Sequence, residues 1–285
     1  MGQCMITRLK GAVQNSELTT FGSIKVKVNK KSSALSADEN LLVFRSLQPC
    51  TVKVTKGNGH IGKTNEDITH TTLEYSTSDS LVYFENEDFE VEISSKYSLT
   101  RLKVNGVKNV IWCINVDDLK FNESLILTLN NSNNTGKLSS LANINYLAFF
   151  IINSSIKGDI GVFEGKTIYP GNDNAVGIAN NPQITGNIAS ISTDISTRKI
   201  YFNDTKVSGD IADFHPSLTL PGIIVLENTE VMGDLEDFAA SMAETYESGT
   251  LQMYLHGSKV KYNNALCNKK LITFTGSGNY TITDF

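Results

Sequence analysis

The chain has 285 residues, of which 40% are hydrophobic and 19% are charged, with a net charge of −5 at pH 7. This length suffices for one large domain or two ordinary ones, and the apolar content is too high for a disordered chain. The acidic balance argues against nucleic-acid binding, because no basic stripe is present to neutralise phosphates. No stretch approaches the roughly 20 apolar residues of a membrane-spanning helix.

The first hundred residues contain short runs in which apolar and polar positions alternate, separated by Ser, Asn and Gly. Such runs are typical of short strands joined by turns. They predict a small β-sandwich or barrel over residues 1–97. The predicted strands are residues 5–9, 22–28, 41–45, 50–56, 71–75, 81–84 and 89–94.

Asparagine is unusually frequent in the rest of the chain, because 22 of its 28 residues follow residue 100. Asn tolerates left-handed backbone conformations and hydrogen-bonds its own chain in turns. The second part of the sequence is therefore predicted to be rich in turns and repetitive.

A short motif recurs in this second part: an aliphatic residue, any residue, Gly, Asp or Asn, and a further aliphatic residue. Its Gly positions are 22 to 29 residues apart. Alternating runs that end in Asn, Asp or Gly precede the copies. The pattern resembles the leucine-rich repeat, and it implies a β-solenoid with few helices over residues 98–285. The copies are residues 156–160, 184–188, 207–211 and 231–235, with degenerate copies at 134–138 and 260–264.

Two features within the repeats give local predictions. The third unit, at residues 176–181, is shifted by one residue in relation to the motif, which predicts a bulge there. The segments after each Gly are rich in Gly, Pro and Ser, so loops and short 3₁₀ turns are expected. Only residues 235–246 have the Ala content and periodicity of an α-helix.

The sequence contains no constellation that is typical of catalysis or metal binding. The cysteines have no close pair, so we expect reduced thiols rather than zinc ligands. Asp159, Asp210 and Asp234 recur at one slot of the repeat, which favours hydrogen bonds in turns over acid and base catalysis. We therefore expect no enzyme, no catalytic residue, no metal and no cofactor. The cysteines are Cys4, Cys50, Cys113 and Cys267, and the histidines are His60, His70, His215 and His256.

What remains is a surface. Side chains alternate along a strand, so residues between the core positions face outward. The first outward column is apolar for a solvated face, which predicts contact with a partner. Covering loops, or the preference of aromatic residues for strands, are the alternative explanations. The first column is Thr128, Phe150, Ile178, Tyr201, Val225 and Tyr254; the second is Asn130, Ile152, Asn180, Asn203, Glu227 and His256. The predicted interaction surface is Phe150, Ile152, Tyr201, Asn203, Val225, Glu227, Tyr254 and His256.

Two stretches are similar to a known family. Met-Ile-Thr-Arg-Leu-Lys-Gly at residues 5–11, with Gly-Ser-Ile-Lys-Val at residues 22–26, resembles the start of structural proteins of crAss-like phages that infect Bacteroides. Residues 80–86 and 89–102 resemble the same proteins. The resemblance implies a component of the virion, such as a head or tail fibre, with no catalytic residues. It also favours Met5 over Met1 as the start of the protein.

These observations together predict a non-enzymatic virion protein that is made in the cytoplasm of the bacterial host. We expect residues 1–97 to dock on other virion proteins of the capsid or tail. A homo-oligomer is expected, and the fibre analogy suggests a trimer. The alternative is an adhesin-like module whose solenoid binds a glycan or protein receptor on the host surface. A glycan-cleaving enzyme is a third reading, and it requires paired carboxylates in a cleft.

Overall fold

The computed structural model describes residues 19–28, 41–47, 49–63, 67–76, 80–85, 88–95, 99–105, 110–119, 121–130, 133–171 and 173–285. Strands make up 51% of it, and the described residues form one α-helix, so the fold is mainly β, as predicted. Along these residues no helix has both the length and the apolar character needed to cross a membrane.

Antiparallel pairing dominates the first part of the chain. Strands β5, β3, β7, β1 and β9 form a five-stranded sheet in that order. Six of the seven predicted strands are confirmed, and the seventh, residues 5–9, lies outside the described residues. The strands are β1 Thr19–Val28, β2 Leu41–Ser46, β3 Cys50–Gly57, β4 Ile61–Gly62, β5 Thr72–Tyr75, β6 Ser80–Phe84, β7 Phe89–Ser95, β8 Leu99–Asn105 and β9 Val110–Cys113.

The second part of the chain contributes short strands at regular intervals. One α-helix, α1, spans Leu235–Thr245 and confirms the helix predicted for residues 235–246. Among the described residues, five short 3₁₀ turns follow the strands, in agreement with the prediction. The strands are β10 Phe121–Asn130, β11 Tyr146–Ile152, β12 Gly158–Asp159, β13 Thr167–Pro170, β14 Ala175–Ala179, β15 Ile184–Asn187, β16 Ser192–Thr193, β17 Lys199–Tyr201, β18 Lys206–Asp210, β19 Gly222–Val225, β20 Glu230–Asp234, β21 Gly249–Tyr254, β22 Lys259–Tyr262, β23 Ala265–Leu266, β24 Lys269–Phe274 and β25 Tyr280–Thr283.

These strands form two sheets in which neighbouring strands come from successive repeats. In the larger sheet, β10, β11, β14, β17, β19 and β21 pair in parallel, and β24 and β25 continue it as an antiparallel hairpin. In the smaller sheet, β12, β15, β18, β20 and β22 pair in parallel. Strand β8 joins β10 to the antiparallel β2, so the larger sheet extends into the first part of the chain.

The core of the second part lies between these two parallel ladders. In each of the six parallel strands β10, β11, β14, β17, β19 and β21 the first and third positions of the alternating run are fully buried, as Ile200 and Phe202 are. The smaller sheet and its 3₁₀ turns supply the opposing side chains, such as Val207 and Ile211, which are also fully buried. Strand alternation therefore leaves one side of the larger sheet facing outward.

Left-handed residues end several strands of the larger sheet, and most of them are Asn. Four of them have φ between 53° and 55°, a region that Asn and Asp tolerate better than most residues. The backbone N–H of each donates to a carbonyl in the next repeat; that of Asn228, for example, donates to His256 O over 2.8 Å. The four residues are Asn153, Asn180, Asp204 and Asn228.

The bulge predicted in the third unit is wrong. Strand β14 keeps its register, because Val176 pairs with Ile200 and Gly177 with Tyr201. The extra residue lies in the turn after the left-handed Asn180, where Asn181 is fully buried. A turn absorbs an insertion without disturbing a sheet, whereas a shift within the strand would turn its core residues outward.

Candidate interaction surface

The outward side of the larger sheet carries a column of side chains, one from each successive strand. The strand registers align Phe150 with position 177, then Tyr201, Val225 and Tyr254. Thr128 precedes Phe150 in the column and is almost fully buried. Position 177 is Gly, so the prediction of Ile178 at this place is wrong. Ile178 is fully buried in the core, as its place in the alternation requires.

Gly177 allows the two aromatic rings beside it to meet. The ring centroids of Phe150 and Tyr201 lie 5.7 Å apart in an edge-on arrangement. Their strands are separated by β14, and so by about 10 Å, which means that both rings lean over Gly177. A β-carbon at Gly177 would lie 2.0 Å from the carbonyl oxygen of Tyr201, and its φ is 148°. The backbones approach so closely that only glycine fits.

A second aromatic pair stands at the other end of the column. The rings of Tyr254 and Phe285 meet edge-on, with centroids 5.4 Å apart. Lys269 Nζ lies 5.4 Å from the ring centroid of Tyr254, in cation–π geometry. Val225, 9% exposed, separates the two pairs. We call this surface the aromatic face; it consists of Phe150, Gly177, Tyr201, Val225, Tyr254 and Phe285.

Burial affects the chemistry of the aromatic face. Desolvation raises the pKa of Tyr201, and the nearby Tyr254 and Asp173 raise it further. The hydroxyl therefore stays neutral at physiological pH, where it can donate and accept hydrogen bonds.

Polar side chains border the aromatic face along the second outward column. Asn203 Nδ2 donates to Asp204 Oδ2 over 2.8 Å and to Asn180 Oδ1 over 3.1 Å. Ile152 pairs with Ala179, so Ala179 takes the place that the prediction gave to Asn180. The side chain of Asn180 instead belongs to the ladder of left-handed residues at the strand ends.

A groove of about 440 Å³ lies beside Tyr254. It combines two carboxylates, one ammonium group, one imidazole and an aromatic ring, and His256 Nδ1 is 2.8 Å from Asn268 Oδ1. Sequence reasoning found Glu227 and His256 but missed the other lining residues. The missed residues follow the last copy of the motif, so the repeat does not predict their position. The alternation of apolar and polar residues at 269–274 was the one signal that a further strand lies there. The lining residues are Glu227, His256, Asn268, Lys269, Asp284 and Phe285.

The recurring carboxylates make hydrogen bonds in turns, as predicted. Oδ1 of Asp159 accepts the N–H of Gly161 over 2.7 Å. Asp210 and Asp234 accept the N–H two residues ahead in the same way, each over 2.9 Å. Each side chain therefore caps the N-terminus of a 3₁₀ helix or of α1.

The remaining candidate residues for chemistry are scattered. His60 Nδ1 contacts Glu85 Oε2 at 3.0 Å, and His215 Nδ1 contacts Ser241 Oγ at 2.8 Å. Cys50 and Cys267 are buried and Cys113 is half-buried, while Cys4 lies outside the described residues. Within the part of the chain that the structure describes, no group of three His, Cys, Asp or Glu side chains is placed to hold a metal ion.

No protein-family model, curated protein or solved structure matches this chain.

Proposed function

We propose that this chain is a non-enzymatic structural protein of a phage virion, a fibre or decoration component of the head or tail. It acts through protein–protein contacts of the aromatic face. The observation that carries the proposal is a column of three half-buried aromatic side chains, Phe150, Tyr201 and Tyr254, on the outward side of an open sheet. Protein interfaces share this composition, with aromatic residues at the centre and polar residues at the border. The sequence resemblance to structural proteins of crAss-like phages supports the virion as the setting.

We further propose that residues 98–285 form a leucine-rich-repeat-like solenoid and that residues 1–97 form a sandwich-like docking domain. The constant register between repeats supports the solenoid. Gly186 pairs with Val207, Gly209 with Val231, and Gly233 with Val260. A stack of similar units would repeat one contact in this way. Contact between two sheets supports the sandwich, because the ring centroids of Phe44 on β2 of the larger sheet and Tyr75 on β5 of the five-stranded sheet lie 5.5 Å apart.

The experiment asks whether the protein is part of the particle and whether the aromatic face holds it there. Purified particles are analysed by quantitative mass spectrometry for a fixed copy number of the chain. The variant Tyr201→Ser/Tyr254→Ser is compared with Met232→Ser. Met232 is 53% exposed on the smaller sheet and serves as the matched control.

We expect at least a tenfold loss of incorporation for the aromatic variant and normal incorporation for the control. Absence of the chain from purified particles would overturn the virion role. Deleting residues 1–95 is a weaker test, because β2 pairs with β8 and the deletion would strip β8 of a neighbour.

The groove beside Tyr254 favours a second candidate, an adhesin-like module that binds a host surface glycan or protein. The groove volume is within the range of small-ligand sites, and its polar groups converge beside an aromatic ring. A glycan array probed with the full chain tests it. Binding that disappears in both Tyr254→Ala and Glu227→Gln, and persists in Met232→Ser, would favour the adhesin over the structural role.

A further inference from the structure

We infer that the aromatic face binds an arginine side chain of a partner protein, in a trough that runs along strand β19. The inference rests on the proposed function, because it names the chemistry of the partner that this surface contacts. Three side chains of β19 and its C-terminal end form the floor of the trough: Ile223, Val225 and Glu227. Its walls are Tyr201 on β17 and Tyr254 on β21.

The walls of the trough stand far enough apart to admit one further side chain. Tyr201 and Tyr254 are aligned with Val225 on the two neighbouring strands, so their backbones are about 10 Å apart. The ring of Tyr201 contacts Phe150 at a centroid distance of 5.7 Å, on the side away from β19. The ring of Tyr254 contacts Phe285 at 5.4 Å, in the opposite direction. Both rings therefore lean away from Val225, and a side chain fits between them.

The floor of the trough is apolar and ends in a carboxylate without a partner. Ile223 is half-buried and Val225 is 9% exposed, while Glu227 lies two residues further on, about 7 Å along the strand. Glu227 is half-buried, and its carboxylate makes no hydrogen bond or ion pair with the part of the chain that the structure describes. Partial burial without a partner costs hydration, so a cation gains more at this carboxylate than at a fully exposed one. A ligand with an apolar stem and a cationic head matches this floor, and the side chains of this kind are lysine and arginine.

Hydrogen-bond acceptors on both sides of Glu227 favour arginine over lysine. Asn203 and His256 flank Glu227, because they follow the aligned tyrosines by two residues. Asn203 Nδ2 donates to two other side chains of the strand ends, so its Oδ1 remains as an acceptor. His256 Nδ1 donates to Asn268 Oδ1 over 2.8 Å, which leaves Nε2 of the neutral ring as an acceptor. A guanidinium group has five donors in a plane that also stacks on tyrosine rings, whereas an ammonium group has three donors and no such plane.

A second carboxylate adds to the negative potential beside the trough. Asp173 lies near Tyr201: burial raises the pKa of the Tyr201 hydroxyl, and the charges of Tyr254 and Asp173 raise it further. The segment that carries Asp173 packs on β11 at Gly171, where an added β-carbon would lie 2.9 Å from the backbone nitrogen of Phe150. This segment therefore borders the face three strands away from β19. The net charge of the chain is also negative, at −5, which attracts a basic partner over longer distances.

Two lysines of the face set the direction of the arginine. Lys199 pairs with Ile223, so it lies at the end of the trough opposite Glu227. Lys269 Nζ is 5.4 Å from the ring centroid of Tyr254, and its strand β24 lies on the far side of β21 from the trough. The guanidinium is therefore drawn to Glu227 and away from Lys199, with its stem over the apolar floor. Tyrosine and arginine are among the residues that dominate the binding energy of protein interfaces, which favours a protein as the source of this side chain.

The test is saturation-transfer NMR on the full chain with short blocked peptides as probes. The first probe is acetyl-Gly-Gly-Arg-Gly-Gly-amide. The other two carry lysine or citrulline in place of arginine, and citrulline keeps the shape of arginine without its charge. We expect a millimolar dissociation constant for the arginine peptide, as suits a single side chain. Binding should be about fivefold weaker or more for the lysine peptide, and about tenfold weaker or more for the citrulline peptide.

Variants of the trough show whether the probe binds there. Glu227→Gln keeps the shape of the side chain and removes its charge, so it should weaken binding of the arginine peptide about tenfold or more. Tyr201→Leu removes one wall and should weaken binding about threefold or more. Glu230→Gln, at an exposed position on the smaller sheet, is the matched control and should leave binding unchanged.

Circular dichroism and thermal unfolding of each variant establish that it is folded before its binding is interpreted. Equal binding of the arginine peptide and either other peptide would overturn the inference. So would the absence of binding at about 10 mM arginine peptide, or full binding by folded Glu227→Gln. The proposed function is tested separately by the presence of the chain in particles. A chain in particles without a preference for arginine rejects this inference alone, whereas a chain that prefers arginine but is absent from particles rejects the virion role alone.

Discussion

A β-carbon added to Gly233 would lie 2.1 Å from Oδ1 of Asp210, one repeat earlier in the chain. Asp210 is fixed there because its Oδ1 accepts the N–H of Ala212 over 2.9 Å. Gly233 has a φ of 109°, which also disfavours other residues. The Gly and the Asp of the motif are therefore coupled between neighbouring repeats and not only within one. The same contact joins Gly209 to Asn187 at 2.1 Å and Gly186 to Asp159 at 2.3 Å.

Gly233→Ala should destabilise the fold by about 2–4 kcal/mol, because backbone strain adds to the clash with Asp210. Gly165→Ala is the matched control, since Gly165 also has a positive φ of 72° but has no atom within 4 Å of an added β-carbon. We expect about 1 kcal/mol for the control, from the backbone conformation alone. Urea unfolding followed by circular dichroism measures both values. Equal losses in the two variants would contradict the clash.

A double-mutant cycle tests the coupling itself. Asp210→Ala removes the capping oxygen and should cost about 1 kcal/mol. In Asp210→Ala/Gly233→Ala the clash is absent, so the total loss should be smaller than the sum of the single losses by about 1 kcal/mol or more. Strict additivity in the same unfolding assay would mean that the two residues act independently.

The sequence allowed local structure to be predicted wherever one pattern was decisive. Strict alternation gave strands such as β3 and β7 to within about one residue, and the capped, Ala-rich segment gave α1. The recurrence of Asp at one slot predicted its hydrogen bonds. In the third unit the predicted places of Ile178 and Asn180 are wrong, because an inserted turn residue and a shifted strand look alike in the sequence. Only tertiary packing, with Gly177 held against the backbone of Tyr201, distinguishes them.

The groove beside Tyr254 could not be predicted for a different reason. Four lining residues lie in the antiparallel hairpin at the end of the larger sheet or directly beside its strands: Asn268, Lys269, Asp284 and Phe285. Their position depends on the register between β21 and β24, which pairs Tyr254 with Lys269. Register between distant strands is set by packing, and a single sequence carries little trace of it.

Asn181 should contribute more to stability than the hydroxyl residues that follow the later left-handed turns. Its side chain is fully buried, and its Nδ2 donates to Ile156 O over 2.6 Å and to Ser154 Oγ over 2.9 Å. Asn181→Ala leaves these buried acceptors unpaired and opens a cavity, so we expect a loss of about 2–4 kcal/mol.

Thr229→Ala is the comparison for Asn181→Ala. Thr229 Oγ1 donates only to Leu226 O, three residues earlier, over 2.7 Å. A local bond of this kind should cost about 1 kcal/mol when it is removed. If guanidinium unfolding gave the same loss for both variants, the bonds of Asn181 between repeats would have no special role.

The protein should lose stability at alkaline pH, and Tyr201 should contribute to that loss. Burial raises the pKa of Tyr201, so the unfolded chain releases this proton at a lower pH than the folded chain does. The neutral hydroxyl of Tyr201 therefore adds to the free energy of unfolding. This stabilisation is fully present below the ordinary tyrosine pKa of about 10, and it is lost as the pH rises through the higher pKa of the folded state.

The variant Tyr201→Phe cannot ionise at this position, so it should lose less stability than the unmodified chain above about pH 10. Tyr246 and Tyr280, whose pKa values burial also raises, remain in both proteins and cancel in the comparison. Thermal unfolding from pH 8 to pH 11 gives the two curves. Identical alkaline slopes would show that the hydroxyl of Tyr201 is already hydrated in the folded state.

Cys267 should react slowly with iodoacetamide while the protein is folded. Burial raises the pKa of its thiol, and Asp234 and Asp284 raise it further against the opposing effect of Lys270. Because the thiolate is the reactive form, both the small thiolate fraction and the burial of the sulfur slow the reaction. Peptide mass spectrometry at pH 8 should show labelling of Cys267 at least about tenfold slower than in urea, where all cysteines are exposed. Equally fast labelling of the native chain would mean that the segment between β22 and β24 opens readily, since Cys267 lies between these strands and its N–H bonds to Val260 O.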